Sequence, residues 1–198
     1  MSAPSPPAHR TLRLDPLGPG NLGAFEDLLG GGEFGGCFCA VWTAPGPDWV
    51  ARCADPARPN LAVTRRRVAD GEHVGFLVHD DGLLAAWTGA GPKAGFPLLA
   101  SKLGSRLSPS PPDVWAIGCV AVRETHRGTG LPDRIVAAVV DRARAAGAAA
   151  VEAYPTRPWD EPRSYRGSHR MYERLGFREV GTDRDGATEI LLVRIDLR

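Results

Sequence analysis

The residues whose types and spacing promise chemistry lie between Val114 and Gly147, in the stretch VWAIGCVAVRETHRGTGLPDRIVAAVVDRARAAG. It opens with an apolar, β-branched-rich run, Val114 to Val122, and passes through a short charged and glycine-bearing turn, Arg123 to Gly130. Helical periodicity follows. Leu131, Ile135, Val139 and Ala143 recur at every fourth position, Val136 and Val140 widen the stripe, Asp133 sits in the first turn, Arg142 and Arg144 lie near the end, and Gly147 stands just beyond. Those are start and stop signals of a helix. A glycine-bearing loop that leads from a strand into a helix presents unpaired N–H groups together with the positive end of the helix dipole. Such an arrangement binds phosphate.

The loop itself, Arg127-Gly128-Thr129-Gly130-Leu131-Pro132, is neither a P-loop nor a dinucleotide fingerprint, because both GxxxxGK[ST] and GxGxxG are absent. It resembles the pyrophosphate loop of the GNAT superfamily of acyl-CoA-dependent N-acyltransferases, in which Gln or Arg is followed after two positions by Gly and after one more by Gly or Ala. Arg127 and Gly130 match, and Pro132 departs at the last position. Proline has no N–H to give a phosphate, although its fixed φ suits the first turn of a helix. One fewer backbone donor is expected, not a lost site. A second motif, Ser168 to Phe177 (SHRMYERLGF), resembles the short superfamily helix that ends in Y-E-x-L-G-F after the fifth strand. With a strand expected at Ala149 to Tyr154 between them, the two motifs cover roughly residues 114 to 180.

The resemblance implies an α+β fold. Its central sheet is mixed, mostly antiparallel and of about seven strands, with flanking helices and with the fourth and fifth strands splayed apart. It also implies an acyl-CoA, most simply acetyl-CoA, as co-substrate and a primary amine as acceptor. By the same resemblance, backbone groups of Val120 and Val122 bind pantetheine and an N–H near Cys119 to Val120 polarises the acyl carbonyl. Arg127, Gly128, Thr129 and Gly130 hold the pyrophosphate, and Ser168 joins Tyr172 at the coenzyme. Tyr172 falls where the superfamily tyrosine points at the coenzyme sulfur, which makes it the expected general acid. A packing role is the alternative. Tyr165 stands where many members have Asn, seven residues before that tyrosine. Glu152, an acidic residue inside an apolar strand beside the cleft, is the candidate base, since burial would raise its pKa. Glu124 is a second candidate. Trp42, Trp87 and Tyr154, with Trp49 and Trp159, are aromatics expected to wall the acceptor pocket.

At 198 residues, with 24% charged and 43% hydrophobic residues and a net charge of +1, the chain reads as one soluble globular domain over residues 10–198 behind a loose proline-rich tail at residues 1–9. Nothing in the charge favours nucleic acid or membrane, and a small partner is expected. No apolar run is long enough to span a bilayer and the N-terminus has no signal core, so a cytoplasmic location is expected. Cys37, Cys39, Cys53 and Cys119 read as reduced thiols, and a metal site is not expected.

In chain order, Thr11 to Asp15 alternates as a first strand, and Asn21 precedes a short helix through Leu29. From Gly30 to Pro59 the pattern breaks. Glycines there surround Glu33, Phe34, Phe38 and Trp42, and two readings stand: a substrate lid, or a loop whose aromatics plug the core edge. Asn60 to Gly71 has helical spacing bearing Arg65-Arg66-Arg67, either a solvated face or a dock for a carrier or RNA phosphate. His73 to His79 and Leu83 to Trp87 are two strands joined by Asp80-Asp81-Gly82. Gly91 to Leu103 is mixed, Gly104 to Asp113 a loop, and Phe177 to Val180 and Thr188 to Leu197 a closing antiparallel pair. Several functions stay open: a small-molecule N-acetyltransferase, a GNAT-fold transferase with a carrier-protein or aminoacyl-tRNA donor, a protein acetyltransferase, or a silent module that binds CoA. A homodimer is common in the superfamily.

Overall fold

The computed structural model describes residues 11–44, 48–72, 75–99, 113–159 and 165–198, without the side chains of Trp49, Val50 and Asp185. The expected tail at 1–9, nearly all of the loop at 104–113, the first two residues of the His73 strand and the Trp49 side chain lie outside the described residues.

Strand β1 (Leu12–Pro16) leads into helix α1 (Leu22–Leu29), whose apolar face buries Phe25, Leu28 and Leu29. Asn21 stands at its N-cap position but does not cap it. Its side chain turns back instead, accepting from the Gly18 N–H and donating to the Pro16 carbonyl. The irregular stretch after α1 holds two short helices, α2 (Ala40–Thr43) and α3 (Trp49–Ala54), before the expected α4 (Pro59–Ala69). The hairpin of β2 (Phe76–Asp80) and β3 (Leu83–Pro92) turns at Asp81-Gly82, where both residues take positive φ as a tight turn requires. β3 continues five residues past its expected end at Trp87. β4 (Val114–Val122) and helix α5 (Leu131–Ala145) follow as anticipated, with Gly130 in the left-handed conformation before the helix. After β5 (Ala150–Ala153) come the two-residue β6 (Thr156–Arg157), helix α6 (His169–Arg174), and the long hairpin of β7 (Arg178–Asp185) and β8 (Thr188–Asp196).

The sheet has eight strands where about seven were expected, in the order β1-β2-β3-β4-β5-β8-β6, with β7 also pairing with β8. β4 and β5 run parallel, and the other pairs are antiparallel. Both faces are covered. One core gathers α5 and α6 against Val78, Ile117, Val120, Val122 and Val151. The other gathers α1, α2 and α4 against Leu77, Trp87, Ala116, Cys119 and Leu192. Burial on two faces explains the β-branched, nearly continuous apolar run of β4.

Candidate active site

The parallel pairing of β4 with β5 lasts only from Val114 opposite Ala150 to Ile117 opposite Ala153. Beyond Ile117 the two strands part, and among the described residues β4 keeps a strand partner only on its β3 side. One irregularity sets which residues face the gap. Between Gly89 and Ala90 the β3–β4 register slips, so that Cys119 lies opposite Gly89 and Ile117 opposite Ala90, with Gly118 the extra residue. The bulge shifts the in–out alternation. Ile117 and Cys119, two apart, belong to opposite cores. A Cβ at Gly118 would stand 3.0 to 3.1 Å from the Trp42 indole, so a larger residue there would press on that ring.

A cavity of about 900 Å³ opens along this free edge. Cys119, Val120, Ala121 and Val122 of β4 form one wall, and Arg127, Gly128 and Pro132 form one end. The Gly30–Trp42 segment, Trp87, Trp159 and Tyr165 enclose the remainder. The Val122 carbonyl accepts 3.2 Å from Arg127 Nε, which places it on the edge away from β3. Backbone groups of alternate residues share an edge, so those of Val120 face the gap as well.

The turn into α5 is built as a cradle. Gly128 and Gly130 take φ of +72° and +75°, with nothing within 4 Å of where a Cβ would sit. Among the described residues the N–H groups of Gly128, Thr129 and Gly130 find no backbone acceptor. The Thr129 hydroxyl donates to the His126 carbonyl at 2.7 Å, and Pro132 occupies the first turn, where its missing N–H leaves no helical bond broken. One carboxylate already lies here: Glu33 Oε1 accepts from the Glu124 N–H at 2.6 Å and stands 3.7 Å from Arg127 Nη2.

A match to the family model of the acetyltransferase (GNAT) family spans residues 39–177, from the turn before α2 to the residue before β7. The chain belongs to the GNAT acetyltransferase family. Solved structures agree on the fold. A spermidine N-acetyltransferase from Vibrio cholerae is similar at 13% identity and a TM-score of 0.57, over 94% of both chains. An aminoglycoside acetyltransferase in complex with coenzyme A is similar at 17% identity and 0.60, over 94% of this chain and 95% of that one. The ribosomal-protein-S18-alanine N-acetyltransferase of Escherichia coli gives 13% and 0.55, over 94% of both. No curated protein sequence matches the chain.

Against this GNAT frame the sequence-predicted residues divide. Val120, Val122, Arg127, Gly128, Trp42 and Trp87 meet at the cavity, whereas Thr129 and Gly130 lie exposed in the adjoining cradle. Trp42 Nε1 finds no acceptor among the described residues, which leaves a buried donor on the wall. Tyr165, standing at the usual Asn position, lines the cavity and Trp159, half exposed, joins it.

Three expectations need correcting, those for Glu152, Tyr154 and Ser168. The Glu152 carboxylate is not placed as a base: it is fully buried away from the cavity, receives Lys93 Nζ at 2.6 Å and the Tyr154 hydroxyl at 3.1 Å, and lies 3.3 Å from Arg194 Nη1. A carboxylate engaged by these three groups is committed to them. Tyr154, whose hydroxyl serves that cluster, is not a pocket wall. Ser168 spends its hydroxyl as the cap of α6, accepting from the Met171 N–H at 3.2 Å. Tyr172 lies fully buried behind the cavity, its hydroxyl donating to the Arg166 carbonyl at 3.0 Å, and burial together with nearby Cys119 pushes its pKa up.

Sequence reasoning missed Lys93, Glu33 and Arg166. Arg166 is buried over the Trp42 ring at 4.9 Å and donates to the Tyr154 carbonyl at 3.4 Å. Alternation gives no signal for residues whose partners are tens of positions away. In the segment after α1, Phe38 and Trp42 plug the core, as the second of its two readings has it, while Phe34, Cys37 and Trp42 line the cavity. The Arg65–Arg67 triplet pairs within the chain, Arg65 with Glu26 at 2.6 Å, Arg66 with Asp70 at 3.8 Å and Arg67 with Glu72 at 3.2 Å. No helix among the described residues is long and apolar enough to cross a membrane.

Proposed function

We propose that the protein transfers the acetyl group of acetyl-CoA to the primary amine of a small molecule, by direct attack within a ternary complex. The observation that carries this reading is the unpaired edge of β4 beyond Ile117, which runs along a cavity whose far end is the open N–H cradle of residues 128 to 130. Backbone donors and acceptors left free on a strand suit the amide-rich pantetheine arm, and the cradle with Arg127 suits the pyrophosphate. The cavity volume fits a small acceptor beside the thioester.

The chemistry asks the chain for three services: a donor for the developing oxyanion, a fixed position for the neutral amine, and a proton for the departing thiolate. The Val120 N–H is assigned to the oxyanion, and Trp42 and Trp87 to the acceptor's apolar body. Tyr172 remains the assigned proton source, because a phenol whose pKa is raised by burial stays protonated at neutral pH. It would first have to release the Arg166 carbonyl. No residue is assigned as base.

The test begins with thermal unfolding in acetyl-CoA and in CoA. A ligand at about 100 times its Kd that binds only the native state adds about 2.7 kcal/mol, a rise of roughly 5 to 10 °C in Tm for a chain of this size. No shift with either ligand would sink the reading. Thiol release on adding amines then screens acceptors, and Tyr172→Phe is expected to lower kcat at least tenfold while the acetyl-CoA shift persists. Undiminished turnover in that variant would remove Tyr172 from the mechanism.

A further inference from the structure

The acyl-transfer reading leaves unused a pair of sulfurs on the cavity wall. Cys119 lies on the free edge of β4, and Cys39 is the residue before α2, held at a positive φ of 62°. Eighty positions apart in sequence, their Sγ atoms stand 3.6 Å from each other, both side chains are buried, and both line the cavity.

The surroundings are built to fit two sulfurs. Trp87 Nε1 donates to Cys39 Sγ at 3.3 Å, and the Gly89 N–H donates to Cys119 Sγ at 3.4 Å. Gly89 must lack a side chain, since a Cβ would stand 2.7 Å from one sulfur and 3.2 Å from the other. The β4 bulge completes the arrangement, because without the extra residue Gly118 the Cys119 side chain would point to the opposite core. Cys53 is differently placed, receiving Asn60 Nδ2 at 3.5 Å.

We propose that Cys39 and Cys119 form an oxidisable dithiol, which a hydroperoxide reaching it through the cavity converts to a disulfide that ties the α2 segment to β4 and weakens coenzyme binding. The last clause rests on the coenzyme site proposed above. Cys119 is the attacking sulfur: the bond with the Cys39 thiol and the Gly89 N–H favour its thiolate, whereas Cys39, although it accepts from Trp87 Nε1, is kept a thiol by donating to Cys119 and by burial. The thiolate attacks the distal peroxide oxygen and the O–O bond breaks. With hydrogen peroxide the hydroxide released takes up a proton to leave as water, and Cys119 becomes a sulfenic acid. Cys39 sulfur then attacks the Cys119 sulfur, the S–O bond breaks, and the thiol proton leaves with the hydroxyl as a second water. Two thiols are oxidised by two electrons and one peroxide is reduced. The sulfurs must close by roughly 1.5 Å to reach bonding distance. That movement falls on the residue next to Val120.

The experiment treats the reduced full chain with hydrogen peroxide, alkylates the remaining thiols in denaturant, and maps the peptides by mass. Two of the four thiols should be lost, in a peptide pair joined through Cys39 and Cys119 that dithiothreitol separates. Four intact thiols, or a bridge through Cys37 or Cys53, would overturn the dithiol. Cys39→Ser should form no bridge and instead carry added oxygen on Cys119; a Cys119 left unmodified by peroxide in that variant would show that it is not the attacking sulfur. In parallel, the acetyl-CoA shift in Tm should at least halve on oxidation. An equal shift in both forms overturns the coupling, whereas a missing shift in the reduced form overturns the coenzyme reading and leaves the dithiol decided by the peptide map.

Discussion

A carboxylate inside an apolar strand can be a base with a raised pKa or the centre of an ion cluster, and its partners decide between them. For Glu152 the partners are Lys93, beyond the end of β3, and Arg194, on β8. Both approach within 3.3 Å, and the Tyr154 hydroxyl adds a further bond. Removing the carboxylate from such a buried ion cluster costs about 3–5 kcal/mol. Glu152→Ala is therefore expected to lower the urea midpoint sharply, and Glu152→Gln to lower it less. Because neither substitution removes a catalytic group, the pH dependence of kcat in the folded fraction should be unchanged. Loss of its acid limb would return Glu152 to the role of base.

Among the elements, the segment joining α1 to α2 is the most consequential for binding. It sends Phe34 and Cys37 into the cavity wall and carries Glu33 to the turn before α5. There the carboxylate takes up one N–H donor and the flank of Arg127. A phosphate arriving at the same place meets a like charge. Glu33→Gln keeps the side-chain length and an acceptor oxygen while removing that repulsion. The dissociation constant for CoA, measured by calorimetry, should fall several-fold in this variant, and the gain should shrink as salt is raised. Weaker binding would mean instead that Glu33 orients Arg127 for the ligand.

For the molecule as a whole, burial of acidic hydroxyls and thiols on both sheet faces shapes the response to pH. Burial pushes the Cys37 thiol up to about 12, and it raises Tyr154, helped by Glu152, and Tyr172, helped by Cys119. In the unfolded chain these groups ionise at their ordinary values, near 9 for the thiol and 10 for the phenols. Above those values the unfolded state holds fewer protons than the native one, so stability falls as pH rises. The contribution is complete below pH 9 and lost progressively from there to about 12 for Cys37. Urea midpoints should hold steady from pH 7 to 8.5 and drop steeply above pH 9. A flat profile up to pH 11 would show that these side chains are not shielded from water.

Local patterns were enough to read β4, α5, the β2–β3 hairpin and the anion turn from the sequence, because each rests on contacts within a few residues: a continuous apolar run, fourfold spacing, positive-φ turns. The α6 motif was read by resemblance, and its capping serine, Ser168, was expected at the coenzyme instead. Arg127, Gly128, Val120 and Val122 came from the family resemblance as well, and the fold brings them to one cavity. What only the tertiary structure decided depends on which strands become neighbours. The parting of β4 from β5 after four residue pairs, the bulge at Gly118 that aims Cys119 into the cavity, and the capture of Glu152 by Lys93 and Arg194 all join positions from about 30 to 60 apart along the chain. A strand's own residues fix its hydrophobic alternation. They do not fix its register against a partner, and a slip of one residue turns every later side chain to the other face.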